Sequence, residues 1–345
     1  MFEQILQYYG LNAEDATVAP FGTGLINHTW RVTAPAGDFI LQRVNSEVFK
    51  SPGDIAANIR EVGKYLSAHH PSYRFVAPVK TTDGKEMAVI EGDGYYRMFP
   101  FLAGSHSKNV VKTSEEAWEA AAQFGNFTRV LAGFPAQKLR ITIPHFHDLR
   151  LRYDQFTGAL QDGNPARLNE ARELIEELQE HTSIVTRYDR LIKDPDFHIR
   201  VTHHDTKISN VLFDDKGKGL CVIDLDTIMP GFFISDVGDM IRTYLSPATE
   251  EEKDFEGIYI REDFYKAIVA GYCSGMKDEL TGKEKQHFFF AGEFMIYMQA
   301  LRFLTDHLYD DRYYGAAYPG HNLIRAGNQA VLLRRLVEKQ EPLSF

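Results

Sequence analysis

"VTHHDTKISNVLFD", residues 201–214, sets Asp205, Lys207 and Asn210 between two short apolar runs. Val211, Leu212 and Phe213 read as a strand, "DDKGKG" (214–219) as a turn, and "LCVID" (220–224) as a returning strand that ends on Asp224. A hairpin brings the flanks of its two strands to one patch, so Asp224 is expected within reach of Asp205 and Asn210. Taken singly, each of these side chains fits an ordinary turn or cap. Taken as a set, two carboxylates and an amide suit magnesium, which binds one or two carboxylates together with substrate phosphates.

The chain has 345 residues, enough for about two domains or lobes. Its 44% hydrophobic and 25% charged content is that of a folded globular protein. A formal net charge of −10 opposes non-specific nucleic-acid binding, which needs basic patches against phosphates. The two cysteines, Cys221 and Cys273, exclude a disulfide framework and suit a reducing compartment. The first residues, "MFEQILQYYGLNAEDA", lack the basic start and apolar run of a signal peptide. No uninterrupted apolar run reaches the ~18 residues of a membrane span. A cytoplasmic protein with a small-molecule substrate is expected, with neither nucleic acid nor membrane as partner.

The first hundred residues are strand-rich: 29–34, 38–44, 86–92 and 95–101 are β-favouring runs between Gly, Pro and Asp turns. One helix interrupts them at residues 51–70, with Ser51 as N-cap, Pro52 in the first turn and Ile55, Ile59, Val62 and Leu66 at helical spacing. Beyond residue 101 helices dominate: one starts at Ser114 as N-cap, one runs through 166–185, and more follow Arg261. The division expected is a β-rich lobe over 1–100 and a mainly helical lobe over 101–345, an α+β architecture with the site in the cleft between lobes.

Upstream, "APFGTGLINHTWRV" offers Gly22 and Gly24 in a turn whose backbone N–H groups could approach phosphate oxygens. The strand "FILQRV" carries Gln42-Arg43, and Arg43 is a cation suited to phosphate. No Walker A sequence and no G-x-S-x-G elbow occur. His69-His70 and the pair His145, His147 lack the companions of a metal site.

The string from His203 through Asp205 to Asn210 has the spacing of the protein-kinase catalytic loop, H-R-D, four residues, then N, with a metal-binding Asp downstream. "HHDTKISNVLFD" and "VIDLDT" together resemble the aminoglycoside phosphotransferase and choline kinase superfamily, small-molecule kinases with a protein-kinase-like two-lobed fold. Within it the chain is most similar to the sugar 1-kinases that act on N-acetylhexosamines, over "FGTGLINHTW", "FILQRVNSEVFK", "VIDLDTIMPGF", "ALRFLTDHLYDD" and "HNLIRA". The resemblance implies ATP and Mg2+ as cofactors, with Asp205 as base and Lys207 meeting the γ-phosphate. Asn210 and Asp224 are then metal ligands, and Asp226 either assists the metal or braces the loop. It also implies Arg43 in place of the strand lysine, paired with Glu61, and adenine bonded to the backbone at Phe99 to Phe101. Sugar contacts fall to Arg302 and Tyr313, with Asp306 as a further candidate, while Asp236 and Asp239 are structural. The same chemistry on an amino alcohol, homoserine, another sugar or an aminoglycoside, and a nucleotide-binding pseudokinase, are the alternatives.

Overall fold

The computed structural model describes residues 2–22 and 26–343, so Gly24 of the glycine turn lies outside the described residues. In chain order the first elements are α1 (Phe2–Tyr8), β1 (Thr17–Pro20), β2 (His28–Ala34), β3 (Gly37–Val44), α2 (Pro52–His69), β4 (Ala88–Ile90) and β5 (Gly94–Pro100). Next come α3 (Ser114–Val130), α4 (Leu149–Asp162), α5 (Pro165–Glu170), α6 (Arg172–Glu180) and α7 (Ser183–Leu191). Short strands follow: β6 (Arg200–Thr202), β7 (Val211–Phe213), β8 (Gly219–Val222) and β9 (Met229–Gly231). The remaining helices are α8 (Phe233–Tyr244), α9 (Glu262–Met276), α10 (Gly282–Lys285), α11 (Phe288–Leu308), α12 (His321–Val337) and α13 (Gln340–Leu343).

Two compact units emerge, each drawn from three chain segments. The first comprises Met1–Ser107, Gly133–Pro144 and Leu212–Pro230, and the second Lys108–Ala132, His145–Val211 and Gly231–Phe345. The single cut after residue 100 that local composition suggests therefore misses two later segments that return to the first unit. Composition records neighbours in sequence, whereas compactness is set by long-range packing.

In the first unit an antiparallel sheet has the order β1-β2-β3-β5-β4. Side chains alternate between its faces. One face carries Val32, Leu41, Tyr96 and Met98, fully buried against Ile5 and Leu6 of α1. Gln42 lies opposite Arg97 and Arg43 opposite Tyr96 in the β3–β5 register, so Gln42 and Arg97 share the other face. Helix α2 buries Ile55, Ile59, Val62 and Leu66, as their spacing predicts, although Ser51 makes no side-chain capping bond. The hairpin β7–β8 turns at Gly217 (φ +78°), with Asp214 Oδ1 accepting from the Lys216 and Lys218 amides at 2.9 and 2.8 Å. Its second strand stops at Val222, short of Asp224. Asp224 adopts φ +59°, a left-handed conformation that no strand continues, and caps a 3₁₀ turn over Leu225–Thr227.

The second unit is helical. Helices α3 and α9 cross so closely that a Cβ on Gly125 would lie 2.6 Å from the Tyr272 carbonyl, and one on Gly271 2.3 Å from that of Trp118. Gly238 of α8 meets Ala291 of α11 in the same way, at 2.4 Å. Helix α11 is apolar on almost every side because other helices surround it. Among the described residues no helix is long and apolar enough to cross a membrane. Two local expectations need correction. The N-cap of α3 is Thr113, whose extended backbone aims its hydroxyl at the Glu116 amide (3.3 Å). The single helix expected over 166–185 is three, broken at Ala171 (ψ 9°) and His181 (ψ 12°), because amphipathic spacing survives a bend that it does not register.

Gly271→Val should destabilise the second unit by about 1–3 kcal/mol, since the added carbons must push two backbones apart. Chemical denaturation checks this, with Ala270→Val as the control on the same helix.

Candidate active site

In the second unit, residues 203–206 link β6 to the 3₁₀ turn before β7 and run through the interior, with His203 and Thr206 fully buried. Buried backbone N–H groups must find acceptors. Asp236, also fully buried, accepts from the amides of His203 (3.1 Å) and His204 (2.8 Å). Asp239 accepts from the Thr206 amide (2.8 Å), and the Thr206 hydroxyl donates to the Asp236 carbonyl (2.8 Å). Tyr244 Oη donates to the Thr206 carbonyl at 2.5 Å. Burial pushes the Asp236 carboxyl up to about 7, against the pull of the two amides it holds. Burial also raises that of Asp239, which Arg242 (3.1 Å) opposes. Arg242 in turn reaches Glu250 (2.9 Å), and Arg325 pairs with the same carboxylate.

This frame fixes the chemistry-bearing side chains. His204 is held at φ +66°, a conformation that costs a non-glycine residue roughly 1–3 kcal/mol. Room for its ring depends on Gly231, where a Cβ would sit 2.6 Å from His204 Nε2 and 2.3 Å from Thr202 Oγ1. The His203 ring packs edge-on against Phe124 (5.1 Å between centroids), and its Nδ1 accepts from the Asp205 amide at 3.3 Å. Asn210 Nδ2 donates to the Asp205 carbonyl (2.9 Å). Lys207 Nζ lies 3.2 Å from Asp205 Oδ1, with the lysine half exposed. Asp205, Lys207 and Asn210 thus form one local group, as the spacing predicts.

Asp224 and Asp226 belong to the first unit. The Arg97 guanidinium grips Asp226 with two parallel bonds, Nη1 to Oδ1 and Nη2 to Oδ2 (2.9 Å), and both side chains are 3% exposed. Arg97 also donates to Gln42 Oε1 from Nε (3.0 Å) and Nη2 (2.9 Å). Asn27 Nδ2 donates to Asp226 Oδ2 (2.8 Å), and Thr142 Oγ1 to the Asp226 carbonyl (2.8 Å). Asn58 of α2 fastens the same turn by donating to the Ile228 carbonyl (3.1 Å). Both Asp226 oxygens accept from buried donors, which favours its role as a brace over that of a metal ligand. Asp224, by contrast, is exposed.

Among the described residues no three His, Cys, Asp or Glu side chains are grouped to hold an ion. The donor chemistry fits magnesium. In the second unit Asn210 spends its NH2 on a carbonyl, which leaves its amide oxygen as an acceptor, and in the first Asp224 is an exposed aspartate.

The nucleotide-side expectations fare unevenly. Arg43 lies on the sheet face opposite Gln42 and Arg97 and pairs with Asp93 (3.0 Å). Glu61 pairs instead with Arg60 (3.2 Å) and Lys64 (3.4 Å). The expected Arg43–Glu61 pair is absent because strand parity points the arginine away, and Arg97 is the buried cation that sequence reading missed. An arginine inside "YYRMFPF", an otherwise apolar strand, was the available signal, since a buried charge requires a partner. The Phe101 amide is already bonded to the Asp38 carbonyl (2.9 Å), and beside Phe99 the Val79 amide donates to the Met98 carbonyl (2.7 Å). Its ring lies under Arg31 and edge-on to Phe21. Gly22 has φ +78° with open space beside it.

Asp306, proposed as a sugar contact, is buried and accepts from the amides of Tyr313 (2.7 Å) and Tyr314 (2.9 Å) and from Asn322 (3.1 Å). Its work is to fold the loop that carries Tyr313, whose ring is 70% exposed. Arg302 lies over the rings of Phe146 (5.7 Å) and Tyr314 (5.4 Å), with Nη1 donating to Gln299.

Asp226→Ala should cost about 3–5 kcal/mol, because it strands the Arg97 charge in the interior. The double variant Arg97→Met/Asp226→Leu should recover most of that loss, and thermal unfolding of the three proteins decides it.

A profile of the phosphotransferase enzyme family APH matches residues 17–281. Among solved structures, a microcompartment-associated aminopropanol kinase aligns with a TM-score of 0.67 at 16% identity, covering 99% of this chain and 97% of its own. Spectinomycin phosphotransferase, solved with ADP and spectinomycin, gives 0.60 at 12% identity, with 97% of each chain covered. Choline kinase from Cryptosporidium parvum gives 0.55 at 14%, covering 96% of this chain and 92% of that one. These likenesses establish an α+β, protein-kinase-like fold: a five-stranded antiparallel sheet followed by a mainly helical region. With the family profile spanning most of the sequence, this chain belongs to the APH phosphotransferase enzyme family.

Proposed function

We propose that the protein is an ATP- and magnesium-dependent kinase that transfers the γ-phosphate to the anomeric hydroxyl of an N-acetylhexosamine, giving the sugar 1-phosphate and ADP. The observation that carries this reading is the condition of Asp205. Its loop is buried with the amides of residues 203–206 all bonded, and its carboxylate is paired with Lys207, a half-exposed side chain. A general base needs such a fixed position with a replaceable partner.

In this reading Asp205 takes the proton of the acceptor hydroxyl, and Lys207 turns from Asp205 to the γ-phosphate oxygens. Asn210 and Asp224 would hold magnesium, which supplies neutralisation of phosphate charge. Asp226 and Arg97 keep the Asp224 turn in place. The backbone N–H at Gly22 meets the phosphates, and the edge at Phe99 and Phe101 meets adenine. The ADP in the spectinomycin phosphotransferase structure supports an adenine nucleotide. Arg302 and Tyr313 contact the sugar. Catalysis is then mainly positioning and electrostatic stabilisation. The kinases of aminopropanol and choline among the structural relatives favour a second reading, the same transfer to an amino alcohol.

Asp205→Asn should retain nucleotide affinity by calorimetry and lose about 10²- to 10⁴-fold in turnover. Near-normal turnover would remove Asp205 as the base. Asp224→Ala should instead abolish magnesium-dependent nucleotide binding. ATP consumption across sugars, choline, aminopropanol, homoserine and aminoglycosides, with phosphorus NMR of the product, separates the acceptors. A phosphate on any oxygen but the anomeric one contradicts the sugar 1-kinase reading.

A further inference from the structure

Within the first unit, helix α2 and the segment from His70 to Glu86 that follows it enclose a cleft of about 640 Å³. That volume is within the range of small-molecule sites. None of its lining residues has a role in the proposed phosphoryl transfer. Ile59, Leu66, Phe75, Ala77 and Pro78 supply apolar walls. Gly63 lets the Phe75 ring close on the helix, since a Cβ there would lie 2.9 Å from that ring. The segment is held along its length. The Tyr73 amide donates to the His70 carbonyl (2.9 Å), the Val79 amide to Met98 (2.7 Å) and the Thr82 amide to Tyr8 (2.8 Å). Pro71 and Pro78 fix two further backbone angles. The cleft is thus preformed, and apolar walls left facing water favour an apolar occupant.

The charged groups of the lining give that occupant a sign. Arg60 donates from Nε to Glu61 and from Nη1 to Glu86, each at 3.2 Å, and its Nη2 has no partner among the described residues. Lys64 shares Glu61 at 3.4 Å with its side chain 67% exposed. Lys80 has no carboxylate at ion-pairing distance among the described residues. Three cations therefore share two carboxylates, and one guanidinium nitrogen and one ammonium keep donors to offer. Such donors suit a carboxylate, whose charge-assisted bonds are the strong ones, and their excess charge opposes an amine. We infer that the cleft is a binding site for a small carboxylate with an aromatic or branched apolar body. The body lies against Ile59, Leu66, Phe75 and Pro78, and the carboxylate meets Arg60 and Lys80. The site is independent of the acceptor that receives the phosphate.

The test uses the full chain saturated with magnesium and ADP, so that probes are not scored for binding in place of the nucleotide. Three probes share one ring system: 2-naphthoate, 2-naphthalenemethanol and protonated 2-naphthylmethylamine. Calorimetry gives affinity and stoichiometry. The expected result is one 2-naphthoate per chain, bound at least roughly tenfold more tightly than the amine, with the alcohol between them. Ser67→Trp, at an exposed lining position, should fill the cleft and weaken 2-naphthoate at least about tenfold. Lys80→Glu should bring the amine level with 2-naphthoate or above it. Both variants should keep their affinity for ADP. A variant that an unfolding scan or loss of ADP binding shows to be misfolded is replaced, Ser67→Trp by Ala68→Phe and Lys80→Glu by Lys64→Glu. An alcohol or amine bound as tightly as 2-naphthoate overturns the inference. So does a 2-naphthoate affinity unchanged by a folded filling variant, a charge preference unmoved by the glutamate variant, or failure of all three probes to bind.

Discussion

Two buried carboxylates on one helix, Asp236 and Asp239, hold the loop on which the proposed chemistry stands. Of the four consecutive N–H groups of residues 203–206, three, those of His203, His204 and Thr206, end on their oxygens. An unpaired buried amide costs about 1–3 kcal/mol, and a buried carboxylate costs more, so each side solves the other's problem. The arrangement defines where Asp205 can be. Its neighbours on both sides are pinned, and it follows the left-handed turn at His204 with its side chain part-buried. Gly231 supplies the space that this turn needs. The same frame runs outward through Arg242, Glu250 and Arg325 to α12, so a helix far along the chain contributes to the position of the loop.

The first unit solves a parallel problem by a different pairing. Arg97 and Asp226 satisfy one another bidentately in the interior, with Gln42 and Asn27 taking up the remaining donors and acceptors. A buried ion pair of this kind adds little net stability but is costly to break, and it specifies one geometry for the turn on which Asp224 sits. Asn58 and Thr142 fasten that turn from two further directions. Division of labour between neighbouring aspartates follows: Asp226 is buried and bonded, and Asp224 is exposed in a left-handed turn.

Much of this was legible where the causes are local. The β7–β8 hairpin follows from its turn residues, the buried face of α2 from its apolar spacing, and the grouping of Asp205, Lys207 and Asn210 from their closeness in sequence. What escaped depends on distance or parity. Arg97 and Asp226 are 129 residues apart, and nothing near either one names the other. Arg43 and Gln42 are adjacent, so a choice between them is a choice of sheet face, and charge alone pointed to the wrong one. Asp306 stood in a motif that resembles a sugar site, but its oxygens are consumed by the amides of the loop that follows. The break at Ala171 left apolar periodicity intact.

The central claim is that a loop clamped by Asp236 and Asp239 presents Asp205 to the acceptor. The most direct measurement is a crystal structure of the chain with magnesium, a non-hydrolysable ATP analogue and N-acetylglucosamine. The account requires the anomeric oxygen within about 2.6–3.2 Å of an Asp205 carboxylate oxygen, with the loop bonds to Asp236 and Asp239 intact. An acceptor seated with no hydroxyl near Asp205, or a loop released from those two carboxylates, would contradict it.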